Sequence, residues 1–311
     1  MIRMTRTTPA RASLILLFVL QGLPPTALHA QNTGGQPFAE ETSKQDNIYR
    51  SRENDRPAGY VINRDLEAYA NALPPQFNRT LSALRAPDRW LDIGAGEGQA
   101  ILDYYDTNQV SPHDKAQSVA VSIEDRRTQK WHRKAAQLEA NKIRYHYGKS
   151  INDYTTEELG GKFHVITDLL GGFSYTRNMS RFMEKALDFL QLNGSFYSML
   201  QDVHAEDGAN RPHYAGAPYL TEIVSANGAK TKICAWLKSI SCVQVTCEFK
   251  ANWTPPVEVY RVQKVCENVA VPPLAPVHFA AGTPPERRFR ITPVPATSTP
   301  VQPAAITPAE K

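Results

Sequence analysis

Between Trp90 and Leu200 the sequence alternates between two periods, and that alternation limits the chain to few folds. Short β-rich runs recur at Trp90–Ile93, Ser118–Ile123 ("SVAVSI"), Ile143–Tyr147, Phe163–Thr167 ("FHVIT") and Ser195–Leu200. Helical spacing separates several of them: from Gln99 to Tyr105, from about Arg127 to Ala140, and in "SRFMEKALDFL". Strands joined through helices pair in parallel, and the crossovers cover both faces of the sheet. The expected class is therefore α/β, a Rossmann-like, mostly parallel sheet with helices on both faces.

Around this run the chain changes character. Asp65 to Leu84 has helical spacing broken by Pro74 and Pro75, which predicts two helical pieces. After a Gly- and Pro-rich loop, one helix is expected from about Tyr219 to Ser239. Two β-rich runs follow, "CVQVTCEF" and "VEVYRVQKVC", close enough to form an antiparallel hairpin. Beyond Cys266 the chain is proline-rich, and 268–311 is expected to be an extended, disordered tail. The folded domain is placed at 63–267, a size that suits one core. No internal repeat is present.

The N-terminus has Arg3, Arg6 and Arg11 ahead of the apolar run "ASLILLFVL", with helix breakers and a small residue at Ala30. These are the parts of a secretory signal peptide, 1–30. The run is shorter than the ~20 residues a membrane span needs, so no span is expected in the mature chain. Residues 31–62 are polar and aperiodic and read as a flexible lead-in. The protein is accordingly expected to be exported, to the periplasm or outside the cell. Four cysteines, Cys234, Cys242, Cys247 and Cys266, lie in the final third. An even number behind an export signal suits disulfides, in any of three pairings. Their spacing is not that of a zinc site, and no metal is expected.

The sequence has 35 Lys and Arg against 31 Asp and Glu, a net charge of +4 with no concentrated basic run. A nucleic-acid partner is therefore not expected. The chemistry is carried by the first strand's exit, "RWLDIGAGEGQAILDYY". Gly94, Gly96 and Gly98 follow the strand at alternate positions and precede a helix. Glycines there permit positive φ and close backbone approach, and the helix N-terminus presents free N–H groups. The spacing G-x-G-x-G differs from the G-x-G-x-x-G of dinucleotide-binding proteins, which disfavours an oxidoreductase.

"LDIGAGEG" resembles the first motif of the class I S-adenosylmethionine-dependent methyltransferases. The resemblance covers about Asp88 to Leu200 in motif detail and reaches Cys266 in topology alone. It implies a seven-stranded sheet ending in an antiparallel strand pair, with S-adenosylmethionine as cofactor. It also implies that Asp92, Gly94, Gly96 and Gly98 line the cofactor site. Glu124, straight after the second strand, matches the acid that holds the ribose hydroxyls; the alternative is that it caps the next helix. Lys149 stands where the family often has an acid beside the adenine, with Ser150 next to it. Asp153 is a possible substitute for that acid or an ordinary loop residue. Asp168, at the end of the fourth strand, is the candidate polar residue facing both cofactor and acceptor, or else the cap of a nearby turn. Gly171 and Gly172 let backbone come close, and Tyr175 lines an acceptor pocket or packs in the core. His204 is a candidate general base or simply an exposed loop residue.

The expected activity is methyl transfer to a small-molecule or protein acceptor. Because the methyl donor is made in the cytosol, a second class stands beside it: an exported, non-catalytic binding or scaffold protein on the same fold.

Overall fold

The computed structural model describes residues 63–107, 110–201, 219–252, 257–280 and 286–292. The signal-peptide segment, the lead-in, His204 and the chain beyond 292 lie outside the described residues.

Two short helices come first, α1 (Leu66–Ala72) and α2 (Gln76–Ala83), separated at Pro74–Pro75 as the proline pair requires. Asp65 caps α1 by accepting from the Ala68 N–H at 2.7 Å. Then follow β1 (Arg89–Ile93), α3 (Gln99–Asp106), β2 (Gln117–Val121), α4 (Gln129–Gln137) and β3 (Ile143–His146). A 3-10 turn, Ile151–Asp153, leads to β4 (Phe163–Leu169), α5 (Gly172–Tyr175), α6 (Met179–Phe189) and β5 (Leu190–Gln201). Later come β8 (Val243–Lys250) and β9 (Val257–Lys264), the expected hairpin.

These strands form one seven-stranded sheet in the order β3-β2-β1-β4-β5-β9-β8. The first five are parallel, and β9 runs antiparallel beside β5. Alternate residues of the central strands enter separate cores on the two faces. Trp90, Ala120, Val165 and Tyr197 pack with α2 and α3 on one face. Leu91, Val119, Ile166 and Phe196 pack with α6 on the other. The fold is Rossmann-like, with both faces of the parallel strands buried. Strand β5 begins earlier than the sequence predicts, its register with β4 shifting between Phe163 and Val165 near the left-handed Asn193.

Two expectations are corrected. The stretch 219–239 is not one helix: it holds β6 (Leu220–Val224), β7 (Lys230–Thr231) and a short helix, α7 (Ile233–Lys238). An Asn227-Gly228 turn separates the two strands, with Asn227 Oδ1 accepting from the Ala229 N–H at 3.1 Å. Nor does order end at Glu267. Residues 268–292 contain β10 (Leu274–Ala280) and β11 (Glu286–Ile291). With β6 and β7 they form a second sheet, ordered β10-β11-β6-β7. Strand β11 alternates exposed and buried positions, and Arg287 and Phe289 point inward. Of the prolines in this region, Pro276 sits on β10, an edge strand with a register shift, where a missing N–H is tolerated.

All four cysteines are paired, Cys234 with Cys247 and Cys242 with Cys266. The first bond ties α7 to β8, and the second closes the base of the β8–β9 hairpin. Among the described residues, no helix is long and apolar enough to cross a membrane.

Candidate cofactor site

The carboxyl ends of β1 to β4 converge at one edge, where open α/β sheets take ligands. The loop leaving β1 is left-handed at Gly94 (φ +73°) and Gly98 (φ +75°). It is tied to β2 by the N–H groups of Gly94 and Ala95, which both donate to the Val121 carbonyl, at 2.9 and 3.2 Å. From β3, the Tyr145 hydroxyl donates to the Gly96 carbonyl at 2.5 Å. Two of the glycines are needed for internal closeness as well as for dihedral angle. A Cβ on Gly94 would lie 2.5 Å from the Cα of Gly171, and one on Gly98 would lie 2.4 Å from the Trp131 ring. The glycine loop is thus packed against the β4 exit on one side and α4 on the other. The N-cap of α3 is Gly98, in the left-handed region and without a side chain to bond the first-turn amides.

Asp92 and Asp168 are both fully buried at this edge, on adjacent strands. Asp92 accepts from the Tyr69 hydroxyl at 2.9 and 3.0 Å and from Thr167 Oγ1 at 2.7 Å. Thr167 in turn accepts from the Trp90 indole N–H at 2.8 Å, which fixes the direction of its hydroxyl. Burial pushes the Asp92 carboxyl up to about 7, against the pull of these donors. Asp168 accepts from the backbone N–H of Gly171 at 3.1 Å and of Phe173 at 3.0 Å. Burial also raises it to about 7, with the neighbouring Asp92 charge adding to the effect. The capping geometry considered for Asp168 is therefore present: its oxygens hold the turn that follows β4. Tyr175 is buried in that turn.

The remaining candidates are distributed along the same edge. Glu124 is part-exposed after β2 and forms an ion pair with Arg126. Lys149 forms an ion pair with Glu158, and its ammonium lies 5.3 Å from the Tyr154 ring centroid. Ser150 caps the 3-10 turn by accepting from the Asn152 N–H at 3.3 Å, and Asp153 is exposed. Sequence reasoning did not find Tyr69, whose ring reaches the edge from α1 and whose hydroxyl pKa burial raises. It also missed Arg287, brought close by the second sheet. Neither had a local signal, because each reaches the site through tertiary packing. Among the described residues, no group of three or more His, Cys, Asp or Glu side chains is gathered to hold a metal ion.

The residues present fit S-adenosylmethionine. The edge offers a left-handed glycine loop, the start of α3 behind a glycine N-cap and, after β2, the part-exposed carboxylate of Glu124 paired with Arg126. The parallel β3-β2-β1-β4-β5 run, the antiparallel β9 inserted before β8 and the glycine loop after β1 define a class of fold, Rossmann-like, with the seven-strand order that the resemblance of "LDIGAGEG" implies.

Comparison with known proteins gives the following. No protein-family model matches the sequence, and no curated protein matches it. Solved structures of similar shape include the plantazolicin methyltransferase BpumL in complex with a pentazolic desmethylPZN analog and SAH. It is 12% identical, over 73% of this chain and 95% of that one, with a TM-score of 0.45. The N-methyltransferase NodS from Bradyrhizobium japonicum, with S-adenosyl-L-homocysteine, is 12% identical over 71% and 98%, with a TM-score of 0.42. An rRNA methylase from Streptococcus thermophilus is 11% identical over 62% and 95%, with a TM-score of 0.39.

Proposed function

We propose that the chain is an S-adenosylmethionine-dependent methyltransferase, acting on a small-molecule or protein acceptor at the carboxyl edge of β1 to β4. The observation that carries this reading is the left-handed glycine loop at the exit of β1 in a sheet of that strand order. A fold alone does not fix an activity, so the site residues bear the weight. In this reading the amides at the start of α3 and the Gly94–Gly98 backbone hold the cofactor's methionine and sugar portions, and Glu124 leaves Arg126 to accept from the ribose hydroxyls. Lys149 and Ser150 border the adenine. When bound, the cofactor supplies a methyl group already activated on a sulfonium sulfur. The protein's work is then to align the acceptor and exclude water. Asp92 and Asp168 support this edge from below, Asp92 by fixing Tyr69 and Thr167, Asp168 by fixing the turn at 171–173. We place the protein outside the cytosol, a location supported by the sequence of the first thirty residues and by two disulfides.

Calorimetric titration of the chain with S-adenosylmethionine and S-adenosylhomocysteine tests the reading. Saturable binding is expected, weakened in a folded Glu124→Gln variant. No heat and no thermal stabilisation at saturating ligand would overturn it. A second reading, a non-catalytic binding or scaffold protein, is favoured by Lys149, which stands in the place of an adenine-side acid and is paired with Glu158. Binding without transfer of a labelled methyl group to any acceptor would favour that reading.

A further inference from the structure

The second sheet is an addition to the seven-stranded fold, and one of its side chains reaches the candidate site. Arg287, on β11, is 1% exposed. Its Nη2 donates to the Phe173 carbonyl at 2.7 Å, its Nη1 to the Thr176 carbonyl, and its Nε to Thr221 Oγ1 on β6 at 2.8 Å. Those carbonyls belong to the end of α5, a single turn. A helix so short has no stability of its own, and its last carbonyls lack intrahelical donors.

The turn's backbone groups can be followed one by one. At its start, Asp168 accepts from the N–H of Gly171 and of Phe173. Within it, Ser174 N–H donates to Gly171 O at 3.0 Å and Thr176 N–H to Gly172 O at 2.8 Å. At its end, the Ser174 carbonyl accepts from the Tyr219 N–H at 3.3 Å. The carbonyls of Phe173 and Thr176 go to Arg287. Phe173 is held at both ends, its N–H by the β4 carboxylate and its C=O by the β11 guanidinium. The same turn begins at Gly171, which lies against the glycine loop: a Cβ there would be 2.4 Å from the Ile93 carbonyl oxygen.

We propose that Arg287 is a positioning residue for the cofactor edge: it terminates the 172–175 turn and so sets Gly171 against Gly94, coupling the second sheet to the glycine loop. The proposal rests on the methyltransferase reading for its functional meaning, and its structural part stands apart from that reading. A neutral side chain in its place leaves two buried carbonyls without a donor, in a segment that cannot hold itself.

The test combines amide hydrogen exchange with calorimetric titration by S-adenosylhomocysteine, on the full chain and on Arg287→Met, Arg287→Lys and Thr221→Val. Arg287→Met is expected to speed exchange at residues 171–176 by about tenfold or more, with Leu91 and Val119 unchanged. It should weaken S-adenosylhomocysteine by about tenfold. Arg287→Lys, which keeps a cation in the same place, should recover part of both effects, and Thr221→Val should show the smallest. If Arg287→Met does not fold, Arg287→Lys carries the same two readouts. Exchange that rises evenly across both sheets overturns the proposal, because Arg287 would then be a general core residue. So does a loosened turn with an unchanged dissociation constant. Should the unaltered chain bind no S-adenosylhomocysteine, the methyltransferase reading falls, and the exchange result alone decides whether Arg287 clamps the turn.

Discussion

Replacing Gly94 by alanine separates two costs that are usually confounded. At φ +73° an L-residue loses about 1–2 kcal/mol to clash within its own backbone. The added Cβ also meets the Cα of Gly171 at 2.5 Å, and backbone on that side cannot rotate away as a side chain would. Forced displacement of packed groups adds about 1–3 kcal/mol. The sum is about 2–5 kcal/mol, or roughly 4–20 °C in Tm at 2–4 °C per kcal/mol for a domain of this size. Gly228 provides the control. It has φ +86°, and nothing lies within 4 Å of an added Cβ, so alanine there should cost only the first term, about 1–2 kcal/mol. Urea denaturation of both variants, read as midpoints at constant slope, makes the comparison. Gly94→Ala should be the more destabilised by about 1–3 kcal/mol, and S-adenosylhomocysteine binding should fall with it. Equal midpoints would refute the claim that the glycine loop and the β4 exit are in backbone contact.

Asp92 is held near 7 against an ordinary 3.8, so between about pH 4 and 7 the folded protein retains a proton that the unfolded chain releases. Its contribution to stability is therefore full below about pH 4 and lost as pH rises to about 7. The stability of the unaltered chain relative to Asp92→Asn, from urea midpoints across that range, should decline with rising pH; an increase would contradict the burial of this carboxyl. Tyr69→Phe removes a hydroxyl that donates to both Asp92 oxygens and should cost about 1–3 kcal/mol, measurable by the same denaturation. It should also push the Asp92 carboxyl further up, readable by carbon-detected titration. Removing either disulfide as a paired Cys→Ser variant should cost about 3 kcal/mol, from loops spanning 13 and 24 residues. Because both bonds lie at the β8 end of the sheet, S-adenosylhomocysteine binding by variants that stay folded should survive.

Local pattern was a good guide wherever one strand or helix carries its own period. The five parallel strands, the proline-split entry helices and the β8–β9 hairpin all follow from it, and the glycine loop stands where its spacing placed it. The second sheet escaped for identifiable reasons. In "LTEIVSANGAKT" the Asn227-Gly228 pair is a hairpin signal, overlooked because the flanking residues also tolerate helical spacing. In "ERRFRI" the inward position beside Phe289 belongs to arginine, so polar and apolar residues no longer alternate even though buried and exposed ones do. Proline content beyond Cys266 read as disorder, whereas Pro276 occupies the edge strand β10, the one kind of strand that accepts it. At the site, the position of Asp168 was legible, but its engagement with Gly171 and Phe173 was not, since that depends on the path of the chain after β4.

Strand β11 is inserted between β10 and β6 rather than added at an edge, although it is the last described strand in the sequence. A nascent or proteolysed chain ending before Glu286 would possess every strand of the seven-stranded sheet, both disulfides and the whole glycine loop. It would still lack the donor that closes the turn beside that loop. A fragment cut to the apparent domain boundary after Cys266 is therefore the wrong reagent for this protein: it would look complete by its sheet and be unfinished at the edge proposed to take the cofactor.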